Sequence, residues 1–309
     1  MNQPKKTLPS QSADHIWMTE PVNFHCNVQT MATNTYQSPD PTDITAVQQA
    51  AHAEFLTLRD KIVAAGVTVT TVLGHADSPD DIFPNWASTH VLDDGSRGLI
   101  YYPMLNENRR IERRPYMKEI LERQYSVIAD LSDAEQNNIA LESTSALWMD
   151  RVHKIAYSAL SLRSDTKLAQ KWCYLMGYEY VPFNTRNHVG KPVYHTDVMM
   201  SVGTEFIIVC FECILEEDRE RVRTKITDSG REIIEITMEQ LREFCGNSLE
   251  LTARDGTKKL VMSGSAHRAY TDDQKKTFLK YVTEIIHTDL ATIQTYGGGA
   301  ARCMILEMF

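Results

Sequence analysis

From residue 45 onward the chain alternates short apolar segments of strand length with single amphipathic helices, and no long linker of proline, glycine and serine breaks the alternation. In residues 45–65, Val47, Ala51, Phe55, Leu58 and Ile62 recur at steps of three and four, which is one apolar helical face, and Gly66 follows as a helix stop. Residues 67–73 and 98–104 read as strands, and 115–128 as a helix with Pro115 in its first turn. Residues 139–164 read as two strands around a turn, 165–178 as a helix, 194–215 as paired strands, 237–246 as a helix and 259–264 as a strand. A helix over 271–287, capped by Thr271 or Asp272, precedes a last strand over 290–296. The pattern predicts one α/β domain spanning 16–309, built from several β-β-α-β-like units, behind a disordered lead-in of residues 1–15. No unit repeats clearly in sequence.

With 309 residues the chain can bury a large core. No run approaches the ~18 apolar residues of a membrane helix, and the N-terminal stretch lacks the apolar centre of a secretory signal. A net charge of −9 disfavours nucleic acid as a partner. Six cysteines are too sparse for a disulfide framework, so a reducing compartment, the cytoplasm, is expected. Cys210 and Cys213 form a C-F-E-C run without a second ligand pair, so no metal is expected. No phosphate-cradling or dinucleotide loop appears, so no cofactor is expected either.

The stretch Y-G-G-G-A-A-R-C-M, residues 296–304, carries the most chemistry. Its three glycines permit turns closed to other residues and can aim the Cys303 thiol into a cleft. Arg302 would lower that thiol's pKa if it pointed the same way. A cysteine nucleophile needs a proton carrier, and Y-H-T-D offers His195 with Asp197 two residues on, which on a strand would share its face. Glu142 lies among small polar residues in L-E-S-T-S-A. Arg163 lies in S-L-R-S, and Asn85 and His90 in F-P-N-W-A-S-T-H beside Phe83, Pro84 and Trp86. Taken singly, Cys303 reads as a small buried residue, Glu142 as a solvated carboxylate, Arg163 as an exposed arginine and His195 as a histidine on a strand edge.

Their order along the chain says more. An asparagine in an F-P-N-W turn, a glutamate, an S-x-R-S loop, an H-x-D and a late glycine-preceded cysteine together resemble the guanidino-group-modifying superfamily of arginine deiminase, dimethylargininase, succinylarginine dihydrolase and the amidinotransferases. The P-N-W-x-S-T-H, H-x-D and G-G-G-x-x-R-C-M stretches are most similar to the arginine-deiminase-related branch of citrulline-utilisation hydrolases, over roughly residues 20–309. The resemblance implies a five-bladed α/β propeller (pentein) of ββαβ units with pseudo-fivefold symmetry and an axial active site. It implies Cys303 as nucleophile, His195 as general acid/base and Glu142 as the carboxylate supporting it. Asp197 would grip the nitrogens of a guanidino or ureido amino acid, and Arg163 its carboxylate.

One departure stands out. Where arginine deiminase has a second aspartate, this chain has Asn85 and Trp86, which suits a neutral ureido group better than a cation unless Asp80 or Asp81 restores the charge. The expected activity is cofactor-free hydrolysis of a C–N bond. An amidinotransferase or a non-catalytic propeller binding protein are the alternatives, with a cysteine protease on another fold more remote. A homo-oligomer is left open.

Overall fold

The computed structural model describes residues 10–41 and 43–309. It contains five three-stranded sheets of one topology: an inner strand antiparallel to a middle strand, then a helix crossing over to an outer strand parallel to the middle one. We number these blades in chain order. Blade two holds Ala87–Val91, Arg97–Tyr101 and Ser126–Asp130, and blade three holds Trp148–Asp150, Ile155–Ala159 and Glu179–Phe183. Blade four holds Met200–Val202, Phe206–Val209 and Glu232–Glu235, and blade five Leu249–Thr252, Lys258–Ser263 and Glu284–Thr288. Blade one is closed from both directions. His15–Glu20 and Thr68–Leu73 pair in parallel, and the inner strand Leu306–Met308 pairs antiparallel to His15–Glu20. This is the five-bladed propeller that the resemblance implied.

Local sequence explains much of this. The helix Ile44–Ala64 is capped by the Asp43 side chain, which accepts from the Ala46 amide, and it buries the five apolar residues that define its face. Gly66 follows with φ +92°. Four other expectations fail. The helix from Pro115 ends at Glu122, and Ser126–Asp130 is a strand. Likewise Asp272–Phe278 is a helix, but Glu284–Thr288 is a strand. Both errors join a helix to the outer strand behind it, because no proline or glycine separates the two. Between 139 and 164 the first element is a helical turn, Ser143–Ala146, ahead of Trp148–Asp150. The strand expected over 290–296 is instead helical from Ile293 to Gly297, and Glu54 accepts the amides of Thr292 and Ile293 there.

Neighbouring blades meet through their inner strands. Thr89 of blade two donates to the Glu307 carbonyl and accepts from the Phe309 amide. Gln11 donates to the carbonyls of Met149 and Val202 and so ties blades three and four. The lead-in expected over 1–15 therefore divides: residues 1–9 lie outside the described residues, whereas Gln11, Ser12 and Ala13 are buried. Among the described residues no helix is long and apolar enough to cross a membrane.

Candidate active site

Each blade presents a polar residue two or three positions before its inner strand: Asn85, Ser145, Asp197, Asn247 and Cys303. All five are buried and they are hydrogen-bonded to one another. The Ser145 hydroxyl lies 2.8 Å from Asn85 Oδ1 and 2.8 Å from Asp197 Oδ2. Asn247 Nδ2 donates to the Asp197 carbonyl at 2.9 Å and to Cys303 Sγ at 3.1 Å. The Cys303 thiol lies 3.5 Å from Asp197 Oδ2. The propeller thus converts five distant turns into one polar ring on its axis.

A second group flanks the ring. Glu142 stands three residues before Ser145, followed by Ser143 at φ +50°, a left-handed conformation that non-glycine residues rarely hold. Its Oε2 lies 2.7 Å from His195 Nε2, 3.4 Å from an Arg163 nitrogen and 3.7 Å from an Arg109 nitrogen. Burial opposes the charge of Glu142, but Arg163, His195 and Arg109 together hold its carboxyl well below the usual carboxylate range. Burial, with Arg163, lowers the pKa of His195 more than Glu142 and Asp197 raise it. With Nε2 engaged by Glu142, His195 Nδ1 has no partner among the described residues although it is buried.

Every sequence-predicted site residue is therefore in this region, but several readings change. Glu142, Arg163 and His195 are buried rather than solvated. His195 and Asp197 do not share a strand face; they belong to a short 3₁₀ turn, Thr196–Val198, with His195 capping it. Arg302 pulls the Cys303 thiol down, as expected, but does not decide its net shift. Burial pushes that thiol well up and Asp197 adds to the push, while the Ala300 amide, Arg302 and Asn247 pull back too little. The Arg302 guanidinium stacks on Trp148, 4.3 Å from the ring centroid, donates to Thr144 and keeps its Nε 4.0 Å from Asp197. Asp80 lies beside the second group, its carboxylate 4.0 Å from an Arg109 nitrogen. Asp80 accepts from Asn27 and Thr30, and Asp81 from the His75 amide.

Four participants were not legible from motifs. Ser145 and Asn247 complete the ring, and their only sequence signal is their place just ahead of an inner strand. Arg109 comes from the basic run N-E-N-R-R-I-E-R-R, residues 106–114, which carries no catalytic motif. It is 2% exposed, pairs with Glu112 at 2.8 Å, donates to the Phe83 carbonyl and reaches Glu142. The segment from Asn27 to Ser38 lies across the site. Thr33 accepts from Arg163 at 2.8 Å, Asn34 donates to the carbonyls of Gly297 and Gly298, and Ser38 donates to that of Thr295. Cys303 is only 3% exposed beneath this cover.

The glycines ahead of Cys303 are required by packing. Gly298 has φ +64°, and a Cβ there would stand 2.5 Å from the Asn34 side-chain nitrogen. A Cβ at Gly297 would stand 2.7 Å from the Phe83 ring. The glycines let the covering segment and the F-P-N-W turn close on the turn that carries the thiol.

Comparisons with known proteins agree with this architecture. No curated protein sequence matches the chain. Among solved structures, apo ArgZ, an arginine dihydrolase from the ornithine–ammonia cycle in cyanobacteria, superposes with a TM-score of 0.72 at 16% identity, over 94% of this chain and 40% of that one. The chain thus spans less than half of the full ArgZ length. The N-terminal domain of ArgZ holding a covalent reaction intermediate gives 0.71 at 16% identity, over 96% and 97% of the two chains. A dimethylarginine dimethylaminohydrolase carrying an S-methyl-L-thiocitrulline adduct gives 0.64 at 17%, over 96% and 100%. The sequence family described as N,N dimethylarginine dimethylhydrolase, eukaryotic, matches residues 20–309. The chain belongs to that family, within the guanidino-group-modifying superfamily.

Proposed function

We propose that the protein is a cofactor-free cysteine hydrolase that cleaves a C–N bond of a guanidino or ureido amino acid. The observation that carries this reading is the ring, in which a thiol 3.5 Å from a buried carboxylate shares a water-poor axis with a Glu142–His195 pair. A flat head-group placed there would give its N–H donors to Asp197 and its central carbon to Cys303. The Cys303 proton passes to His195 Nδ1, the thiolate attacks the central carbon, and the new C–S bond gives a tetrahedral carbon. His195, through Nδ1, passes a proton to the departing nitrogen as the C–N bond breaks. It then takes a proton from the water that attacks the thiouronium-like or thiocarbamoyl carbon, and passes it to the sulfur as the C–S bond breaks to return the thiol. Glu142 holds the ring in the Nε2–H form and stabilises its cation. Arg163, whose nitrogens are engaged by Thr33 and the Thr30 carbonyl, would take the substrate carboxylate once the covering segment lifts.

The finer reading concerns the head-group. Asn85 puts an amide in the ring where a carboxylate would favour a cation, which supports a neutral ureido substrate resembling citrulline, and hydrolysis beyond the first C–N bond. The family match keeps N-methylated arginines as the competing substrates. A panel of arginine, citrulline, agmatine, methylated arginines and succinylarginine, with ammonia and amino-acid products measured by mass spectrometry, tests both readings. Citrulline converted to two nitrogen products is expected, and conversion in the Cys303→Ala variant at near-native rate would overturn the mechanism. Repeating the panel with an added acceptor amine separates hydrolysis from amidino transfer.

A further inference from the structure

We propose that Asn247 positions Cys303 and stabilises its sulfur as the reacting thiolate, an assignment that rests on Cys303 being the nucleophile. Asn247 is fully buried, and every hydrogen-bonding atom of its side chain is engaged. Its Oδ1 accepts from the amides of Arg302 and Cys303, at 3.1 and 3.3 Å. Its Nδ2 donates to the Asp197 carbonyl and to Cys303 Sγ. Turning the amide over would face nitrogen with two N–H groups, and oxygen with a carbonyl and a sulfur, so the orientation is fixed by chemistry. Asn247 is the only side chain among the described residues that donates to this sulfur. The carboxylate on the sulfur's other side disfavours negative charge, so this donor acts where the thiolate most needs one.

The backbone is built to bring Asn247 in. A Cβ at Gly246 would collide with the Val198 carbonyl and stand 2.7 Å from Met199 Cα, so only glycine lets this segment press on the turn that carries Asp197. Phe244 holds φ +60°, and the Asn247 amide donates to its carbonyl at 2.9 Å. Tyr270 and Ser248 both donate to the Cys245 carbonyl and pin the strained turn.

The test reads the thiol without turnover. Cys303 alkylation by iodoacetamide is followed by mass spectrometry of its peptide between pH 6.5 and 9.5, in the native chain and in Asn247→Asp, Asn247→Ala and Asn247→Ser. Asn247→Asp keeps the shape and the acceptor but replaces the donor with a second carboxylate oxygen. It should slow alkylation at pH 8.5 at least about tenfold, equivalent to one unit of thiol pKa, and lower kcat by about 10²-fold with KM within about threefold. A merely structural residue would not move the pH profile. An unchanged profile in any folded variant overturns the assignment. In the native ¹⁵N-labelled chain the Asn247 side-chain amide signals should shift as Cys303 is alkylated, and no shift overturns it whether or not the variants fold. Turnover by Cys303→Ala would instead remove the nucleophile, leaving the alkylation result to stand separately.

Discussion

Glu142 Oε2 and His195 Nε2 lie 2.7 Å apart, which engages one ring nitrogen and leaves Nδ1 as the atom able to exchange protons with a substrate. The same carboxylate oxygen lies near Arg163 and Arg109, so one acid both orients the imidazole and neutralises two buried cations.

Replacing that acid should therefore harm both activity and stability. Glu142→Gln is expected to lower kcat by about 10²–10³-fold and to cost about 3 kcal/mol, because Arg163 loses its carboxylate partner in the core while Arg109 keeps Glu112 and Asp80. The folded-state pKa of Glu142 is depressed, so its contribution is complete above the unfolded value of about 4.3 and is lost as pH falls toward the folded value. Denaturant unfolding should show the full gap between variant and native chain at pH 7 and a narrower one at pH 3.5. An equal gap at both would contradict this electrostatic role.

Cys303 should rest as a thiol. Burial and then Asp197 raise its pKa, so alkylation by neutral iodoacetamide should be slow at pH 7.5 and accelerate with pH. A cationic haloacetamidine pairs with Asp197 and offsets its repulsion, and should react at least about tenfold faster at pH 7.5. Asp197→Asn should erase the preference. Equal rates for both reagents in the native chain would show that Asp197 does not govern the thiol.

Head-group charge selection falls to Asn85. Asn85→Asp adds a second carboxylate 2.8 Å from the Ser145 hydroxyl that also meets Asp197. The ratio of kcat/KM for arginine over citrulline should rise by about tenfold or more. A fall in both values with an unchanged ratio would place Asn85 outside the head-group site.

Gly298→Ala tests the cover. A left-handed alanine whose Cβ meets the Asn34 amide should cost about 1–3 kcal/mol and loosen the segment from Asn27 to Ser38. Limited proteolysis should cut that segment faster in the variant. Unchanged cleavage together with an unchanged melting temperature would show that the contact does not hold the cover.

The legible part of this molecule was its chemistry-bearing residues and its longest periodic helix. Cys303, His195, Glu142, Asp197, Arg163 and Asn85 all carry side chains unusual for their local surroundings, and motif order gathered them. Ser145 and Asn247 were invisible because a serine or an asparagine before a strand is commonplace, and only the fivefold arrangement makes the position special. Arg109 was invisible for a related reason: a basic run looks solvated until a distant carboxylate such as Glu142 meets it in the core. The two helices drawn too long share one cause, since each helix is followed by its outer strand with no proline or glycine to mark the break.

The pairing of Leu306–Met308 with His15–Glu20 joins segments nearly the whole chain apart. On the ribosome, the turn bearing residue 303 emerges after the strands of the other four blades, so a nascent chain cannot complete the polar ring until its last sheet can close. In dilute refolding the same long-range closure should come late and slowly, because the entropy of so large a loop must be overcome before any of its contacts form.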